Sequence, residues 1–157
     1  MFRELIRKQK QLPDAVCMEI LEKETRGVLS VLGDGGYPYG MPMNHYLHED
    51  GCLYFHCGRI GHRLDALRRD DRASFCVYEQ GWREPGDWVY NVRSVIVFGK
   101  IEIIDDFDAV VDISTRLSYK FIRDEEHIRE EIRRSGAKTL LLKLTPEHIC
   151  GKQVREE

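Results

Sequence analysis

Val28-Leu29-Ser30-Val31-Leu32 is an apolar run of strand length, and the Gly33-Asp34-Gly35-Gly36 behind it is strong turn chemistry. Together they read as the first arm and the turn of a β-hairpin. The second arm, Tyr37 to Leu47, contains Pro38 and Pro42, each of which lacks the N–H that a ladder needs. It is therefore expected at an edge, at a bulge, or where something replaces a neighbouring strand. Glu49-Asp50-Gly51 turns the chain again into Cys52-Leu53-Tyr54-Phe55-His56-Cys57, which breaks at Gly58. Three antiparallel strands thus follow one another in sequence.

Upstream of this core, Pro13 and Asp14 open a segment whose apolar spacing suits a helix over residues 14–25, ended by Gly27. Downstream, helical spacing returns at Gly61, with Leu64 and Leu67 on one face and Arg63, Asp65, Arg68, Arg69 and Asp70 mostly around the other, until about Asp71. Ala73 to Tyr78 and Ser94 to Ile104 read as strands. They are separated by a loop from Gln80 to Arg93, rich in Gly, Pro and Trp, of a length usually reserved for function or interfaces. Asp105 and Asp106 are N-cap candidates for a helix through Val110, Val111, Ile113 and Leu117, and Glu125 to Arg134 forms another. Thr139 to Leu144 is the last expected strand, before Pro146. Six strands in mostly hairpin order, with helices between them and connections too short for crossovers, predict a mainly β, α+β chain closed into a six-stranded antiparallel barrel.

A chain of 157 residues suits a single domain spanning 1–157. Its 42% apolar and 32% charged residues, with both signs mixed, exclude disorder. A net charge of −3 supplies no field for a polyanion, so nucleic acid is not an expected partner. No apolar run reaches signal-peptide or membrane-spanning length, and a cytoplasmic protein is expected. The cysteines, Cys17, Cys52, Cys57, Cys76 and Cys150, are odd in number and form no C-x-x-C pair. They read as small buried apolar residues in a reducing compartment.

Two stretches carry candidate chemistry. In Phe55-His56-Cys57-Gly58-Arg59-Ile60-Gly61-His62-Arg63 a strand ends in glycines and feeds a helix, so free backbone N–H groups, the helix dipole and Arg59, His62 and Arg63 could grip an anion. On these residues alone a glycine turn with solvated arginines reads equally well. In Tyr39-Gly40-Met41-Pro42-Met43-Asn44, proline removes ladder donors and glycine admits a ring close to the backbone, so a flat ligand could lie there. A bulged edge strand with Met as core filler is the other reading. No metal site is expected, because His45 and His48 would point to opposite faces of a strand. The serines lack the glycine-flanked elbow of a hydrolase, and Gly33 to Gly36 lacks the following helix of a dinucleotide fingerprint.

Several blocks in order resemble the FMN-binding split barrels related to pyridoxamine-phosphate oxidase, most closely the 5-nitroimidazole-resistance (Nim) branch. The blocks are Gly27 to Val31, Gly36 to Asn44, Leu53 to Cys57, Gly61-His62-Arg63-Leu64-Asp65-Ala66-Leu67, Ser94 to Lys100, and Gly151-Lys152. The resemblance implies a split barrel that binds FMN, with FAD as the alternative. Tyr39 to Asn44 would run beside the flavin, with Met41, Pro42, Met43 and Asn44 in contact with ring and ribityl chain. His56 and Cys57 would adjoin the ribityl chain and phosphate, His62 and Arg63 would hold the phosphate, and Ser94 would face the polar edge of the ring. It further implies a homodimer with shared flavin sites, closed by the loop that carries Trp82, Trp88 and Tyr90. The expected function is a flavin-dependent oxidoreductase that reduces small molecules, nitroaromatics among them, with NADH or NADPH as electron donor and His56 as the catalytic candidate. A non-catalytic flavin- or haem-binding module for storage, sensing or transport is the alternative. Two departures matter: the chain lacks the Trp- and Arg-bearing final segment of the oxidases, so their own activity is not expected, and Tyr39 stands where they carry arginine.

Overall fold

The computed structural model describes residues 2–156, and the long strands bury alternate side chains, as Leu29 and Val31 do on the first of them. In chain order the strands are β1 (Arg26–Leu32), β2 (Pro38–Asn44), β3 (Tyr46–Leu47), β4 (Leu53–Gly58), β5 (Arg72–Tyr78), β6 (Tyr90–Ile104) and β7 (Thr139–Glu156). The helices are α1 (Asp14–Lys23), α2 (His62–Arg69), α3 (Phe107–Ser118) and α4 (Glu125–Ser135). Side chains two apart share a face, so Leu29 and Val31, Met41 and Met43, Leu53, Phe55 and Cys57, Phe75 and Val77, Val95 and Val97, and Leu140, Leu142 and Leu144 converge on one core. α1 adds Cys17, Ile20 and Leu21, and α2 adds Leu64, Ala66 and Leu67.

All neighbouring strands are antiparallel, in the order β2-β1-β5-β6-β7-β4-β3. The two edges of this sheet, β2 and β3, are separated in sequence by His45 alone. The sheet therefore curls until its ends meet, and one bent strand closes the barrel. Counted that way the six expected strands are all present. The bend falls where a continuous strand from Tyr37 to Leu47 was expected, because His45 is fully buried. Its Nε2 lies 2.7 Å from the Leu21 carbonyl, its ring meets Phe75 edge-on at 4.9 Å, and just past α3 the Lys120 ammonium donates to the carbonyls of Glu24 and His45.

Closure is incomplete. β3 pairs only with Leu53 and Tyr54, so the rest of β4 is bonded to β7 on one side and open on the other, and β2 is bonded only to β1. Pro38 and Pro42 thus sit on an edge, as their missing N–H groups require. The barrel is split between these two open edges, and α2 lies beside β2 there.

Two expected boundaries move. β7 does not end before Pro146 but runs on to Glu156, because the ladder with β6 shifts register between Phe98 and Gly99, and a bulge tolerates proline. Gly99 is required at that point, since a Cβ there would lie 2.1 Å from the Thr145 carbonyl oxygen. β6 begins at Tyr90 rather than Ser94, which shortens the long loop, and Trp82 and Asn91 exchange backbone hydrogen bonds of 2.8 and 2.9 Å across its base. Asp106 and Asp124 cap α3 and α4 by accepting from the N–H groups of Ala109 and His127. α3 covers the outer face of the barrel, packing Val110 and Ile113 on Cys52, Tyr54 and Leu141. No helix among the described residues is long and apolar enough to cross a membrane.

Candidate functional site

β2, the end of β4 and the start of α2 meet at the split. The chain leaves β4 through Gly58-Arg59-Ile60-Gly61, and Gly61 takes φ 130°, a conformation L side chains rarely adopt, before α2 begins. The N-terminus of α2 has no side-chain cap. Its first helical bonds run from the N–H groups of Leu64 and Asp65 to the Gly61 carbonyl, which leaves the amides of His62 and Arg63 outside the helical ladder.

Arg63 holds the centre of this site. Its Nη1 lies 2.9 Å from the Met43 thioether sulfur, a weak acceptor, and its Nε is buried without any hydrogen-bond partner. None of the ion pairs among the described residues involves it. Arg63 is half-buried, and a shielded guanidinium nitrogen with neither a hydrogen-bond partner nor a counter-charge is stabilised when an anion completes it. The uncapped helix start adds partial positive charge in the same place. The residues present therefore fit a phosphate-bearing cofactor.

His62 and Tyr39 form the outer wall. Their rings stack at 4.3 Å, and His62 Nε2 lies 3.3 Å from the Asp34 backbone nitrogen and 3.5 Å from its carboxylate. Arg69 pairs with the Asp34 carboxylate at 2.6 Å and holds it below its usual range. The hairpin turn is thereby clamped to α2. Asp34 and Arg69 were not anticipated from the sequence, although Arg69 stands two helical turns beyond His62, on the same side of α2.

Along β2, Met41 and Met43 point into the core, while Gly40 and Pro42 face outward. Only the outward face and the open backbone edge of this strand can meet a ligand. Asn44 accepts from Arg26 Nε at 2.9 Å. On β4, Cys57 faces the core, and burial pushes its thiol up despite the opposing charge of Arg63. His56 faces the other way, over the space between β4 and the α3–α4 pair, where desolvation and then the Arg63 charge push its imidazole down.

The other candidates lie elsewhere. Ser94 is on the outer face of β6, between Tyr78 and Lys152 in the ladders, and β1 and β5 separate β6 from β2. One chain does not bring it to the split. Arg59 does not serve as an anion donor, because it pairs bidentately with Asp105 and its Nε donates to the Ala137 carbonyl at 3.0 Å. Of the loop aromatics, Trp88 is exposed, Trp82 donates to Glu84 and lies under Arg93, and the Tyr90 hydroxyl donates to the Gln80 carbonyl.

The family model described as pyridoxamine 5'-phosphate oxidase matches residues 13–153. No curated protein matches the chain in sequence. Among solved structures, a candidate 5-nitroimidazole antibiotic resistance protein from Bacteroides thetaiotaomicron superposes with a TM-score of 0.74 at 18% identity, over 94% of this chain and 90% of its own. A FAD-binding protein from Mesorhizobium loti gives 0.70 at 20% identity, over 92% and 97%. A FAD- and haem-binding protein from Mycobacterium smegmatis gives 0.69 at 22% identity, over 91% and 72%. At these identities the structures share the fold, while the sequence match over nearly the whole chain makes this protein a member of the pyridoxamine 5'-phosphate oxidase family.

Proposed function

We propose that this protein binds FMN in the split and acts as a Nim-like, flavin-dependent reductase of small molecules, nitroaromatics among them. The observation that carries the reading is Arg63: a half-buried guanidinium whose shielded Nε has no partner, at an uncapped helix start, beside the open edge of β2. In this reading Arg63 and the first amides of α2 hold the phosphate, and the stacked Tyr39 and His62 wall it in. The exposed face at Gly40 and Pro42, with free backbone groups as far as Asn44, lies along the ring. Bound flavin supplies the transfer of electrons or hydride from NADH or NADPH to the acceptor. The proposed proton-exchanging side chain is His56, which lies on the far face of β4 from Arg63, over the space beside α3 and α4, and whose imidazole is pushed down by desolvation and then by the Arg63 charge.

The same reading includes a homodimer. Ser94, out of reach of the split within one chain, faces outward on β6 and would complete the partner's site, and the exposed Trp88 would lie against the partner. The test is the absorption spectrum of the purified protein, followed by anaerobic addition of NADH or NADPH. Flavin bands that bleach on addition support the reductase. A Soret band, or flavin that neither nucleotide reduces, supports a binding module instead, in line with the likeness to the Mycobacterium smegmatis protein. Releasing the flavin by denaturation and resolving it by chromatography separates FMN from FAD.

A further inference from the structure

On the far side of β4 from Arg63, a cavity of about 240 Å³ lies between the strand and the α3–α4 pair. It exists because of the residues chosen there. α3 spends its apolar stripe, Val110, Ile113 and Leu117, on burial, and the neighbouring positions Ser114 and Ser118 are too small to fill the space beside it. α4 buries only Ile128 and turns Glu131 and Ser135 toward the same space, with Thr139 of β7 closing one end and His56 of β4 the floor.

The wall is rich in acceptors. The Ser118 hydroxyl donates its proton to the Ser114 carbonyl at 2.7 Å, Ser135 to the Glu131 carbonyl at 2.6 Å, and Thr139 to the Ser135 carbonyl at 2.9 Å. Each of these three hydroxyls thus keeps only lone pairs to offer a ligand, whereas the Ser114 hydroxyl can also donate. Glu131 adds a carboxylate, held on one oxygen by Arg134 at 2.5 Å. The His56 imidazole adds a ring nitrogen, and Val110 and Ile128 supply apolar surface. The volume equals that of about eight water molecules, enough for one ring with a short substituent.

We infer that this cavity is a binding site for a small ring-bearing molecule that presents N–H donors, such as an amide or an amine. Binding rests on the cavity alone. Its service as a substrate pocket rests on the flavin reading above, since His56 stands two residues before the loop that leads to Arg63.

The test is an NMR titration of the whole protein, FMN-free and FMN-loaded, with two neutral probes of similar shape, benzamide and methyl benzoate, of which only the first has N–H donors. Benzamide should shift the amides of Ser114 and Glu131 and the ring signals of His56, and methyl benzoate should bind about tenfold more weakly or worse. Ser118→Leu should fill the cavity and abolish the benzamide shifts while FMN affinity is retained. If that variant does not fold, Glu131→Gln, on a half-exposed face of α4, should weaken benzamide about threefold or more. Equal binding of the two probes, benzamide shifts that map elsewhere, or shifts unaffected by both substitutions would overturn the inference. Benzamide binding by a protein that takes up no FMN would leave the cavity site standing and remove the flavin reading. FMN uptake without benzamide binding would do the reverse.

Discussion

Two arginines four residues apart flank the turn that joins β4 to α2, and their surroundings differ completely. Arg59 is exposed and fully engaged, gripping Asp105 with both terminal nitrogens and Ala137 with the third. It straps the turn to the start of α3. Arg63 is shielded from solvent at Nε, and its one hydrogen bond among the described residues goes to a thioether. Charge balanced inside the chain holds a frame in place, whereas charge left unbalanced under cover marks where a ligand belongs. The same contrast runs through the sheet: β4 is bonded along its whole length to β7, and past Tyr54 its opposite edge has no strand.

The largest expected effect lies in the closed part of the barrel. Phe75 is fully buried, edge-on to both Phe55 and His45, so Phe75→Ala should cost about 3–5 kcal/mol in urea unfolding. A loss below about 1 kcal/mol would mean that the wall is no better packed than the split.

His45 should make the closure of the barrel sensitive to acid. Burial, and then the charge of Lys120, lower its imidazole to about 4, against 6.5 for an exposed histidine. Because the folded value is the lower one, protonation favours the unfolded chain. The stability is complete above about pH 6.5 and is lost as pH falls toward about 4, by about 3 kcal/mol in all. His45→Phe should remove that part of the pH dependence in unfolding measured from pH 7 to pH 4, and an unchanged profile would place the acid sensitivity elsewhere.

Arg63→Ala should behave in the opposite way to Phe75→Ala. FMN affinity should fall by about 1.5–3 kcal/mol, the worth of a charge-assisted hydrogen bond, while the FMN-free protein stays as stable or gains stability, because an unpaired charge has been removed. Titration of the FMN-free protein decides this, and an unchanged dissociation constant would move the phosphate away from α2. At Gly40, an added Cβ would sit 3.3 Å from Ser30 Oγ and Val28 Cγ1, a contact those side chains can relieve by a small shift. Gly40→Val should therefore leave the melting temperature nearly unchanged and weaken FMN by about 1–3 kcal/mol through crowding of the outward face. Wild-type affinity would take the ring off this strand. Arg59→Met is expected to change least: an exposed ion pair contributes little to stability, so unfolding should match the wild type and FMN affinity should fall far less than in Arg63→Ala. Equal losses for the two arginines would end the distinction between them.

Much of this was legible in the chain. The short apolar run of Val28 to Leu32 and the β-rich stretches of Ala73 to Tyr78 and Ser94 to Ile104 mark strands, because their length and residue types suit a pleated, buried surface. The prolines of β2 mark an edge, and the glycines before His62 mark a strand-to-helix turn. The misread boundaries share one cause, contacts from far along the chain. Pro146 reads as a stop, yet the bulge opposite Phe98 and Gly99 lets the ladder continue. Tyr37 to Leu47 reads as one arm, yet burial of His45 against Leu21 and Phe75 bends it.

The residue types and spacing by themselves determined a mainly β, hairpin-ordered barrel with a cationic strand-to-helix turn, because side-chain periodicity and turn chemistry act over a few neighbours. Which arginine of that turn is free was decided only by the tertiary structure. Arg59 and Arg63 have equal local claims, and what separates them is the arrival of the Asp105 carboxylate, 46 residues downstream, beside the first and of no carboxylate, only the Met43 sulfur, as hydrogen-bond partner of the second. Pairing of charge depends on distance in space, and folding alone sets that distance.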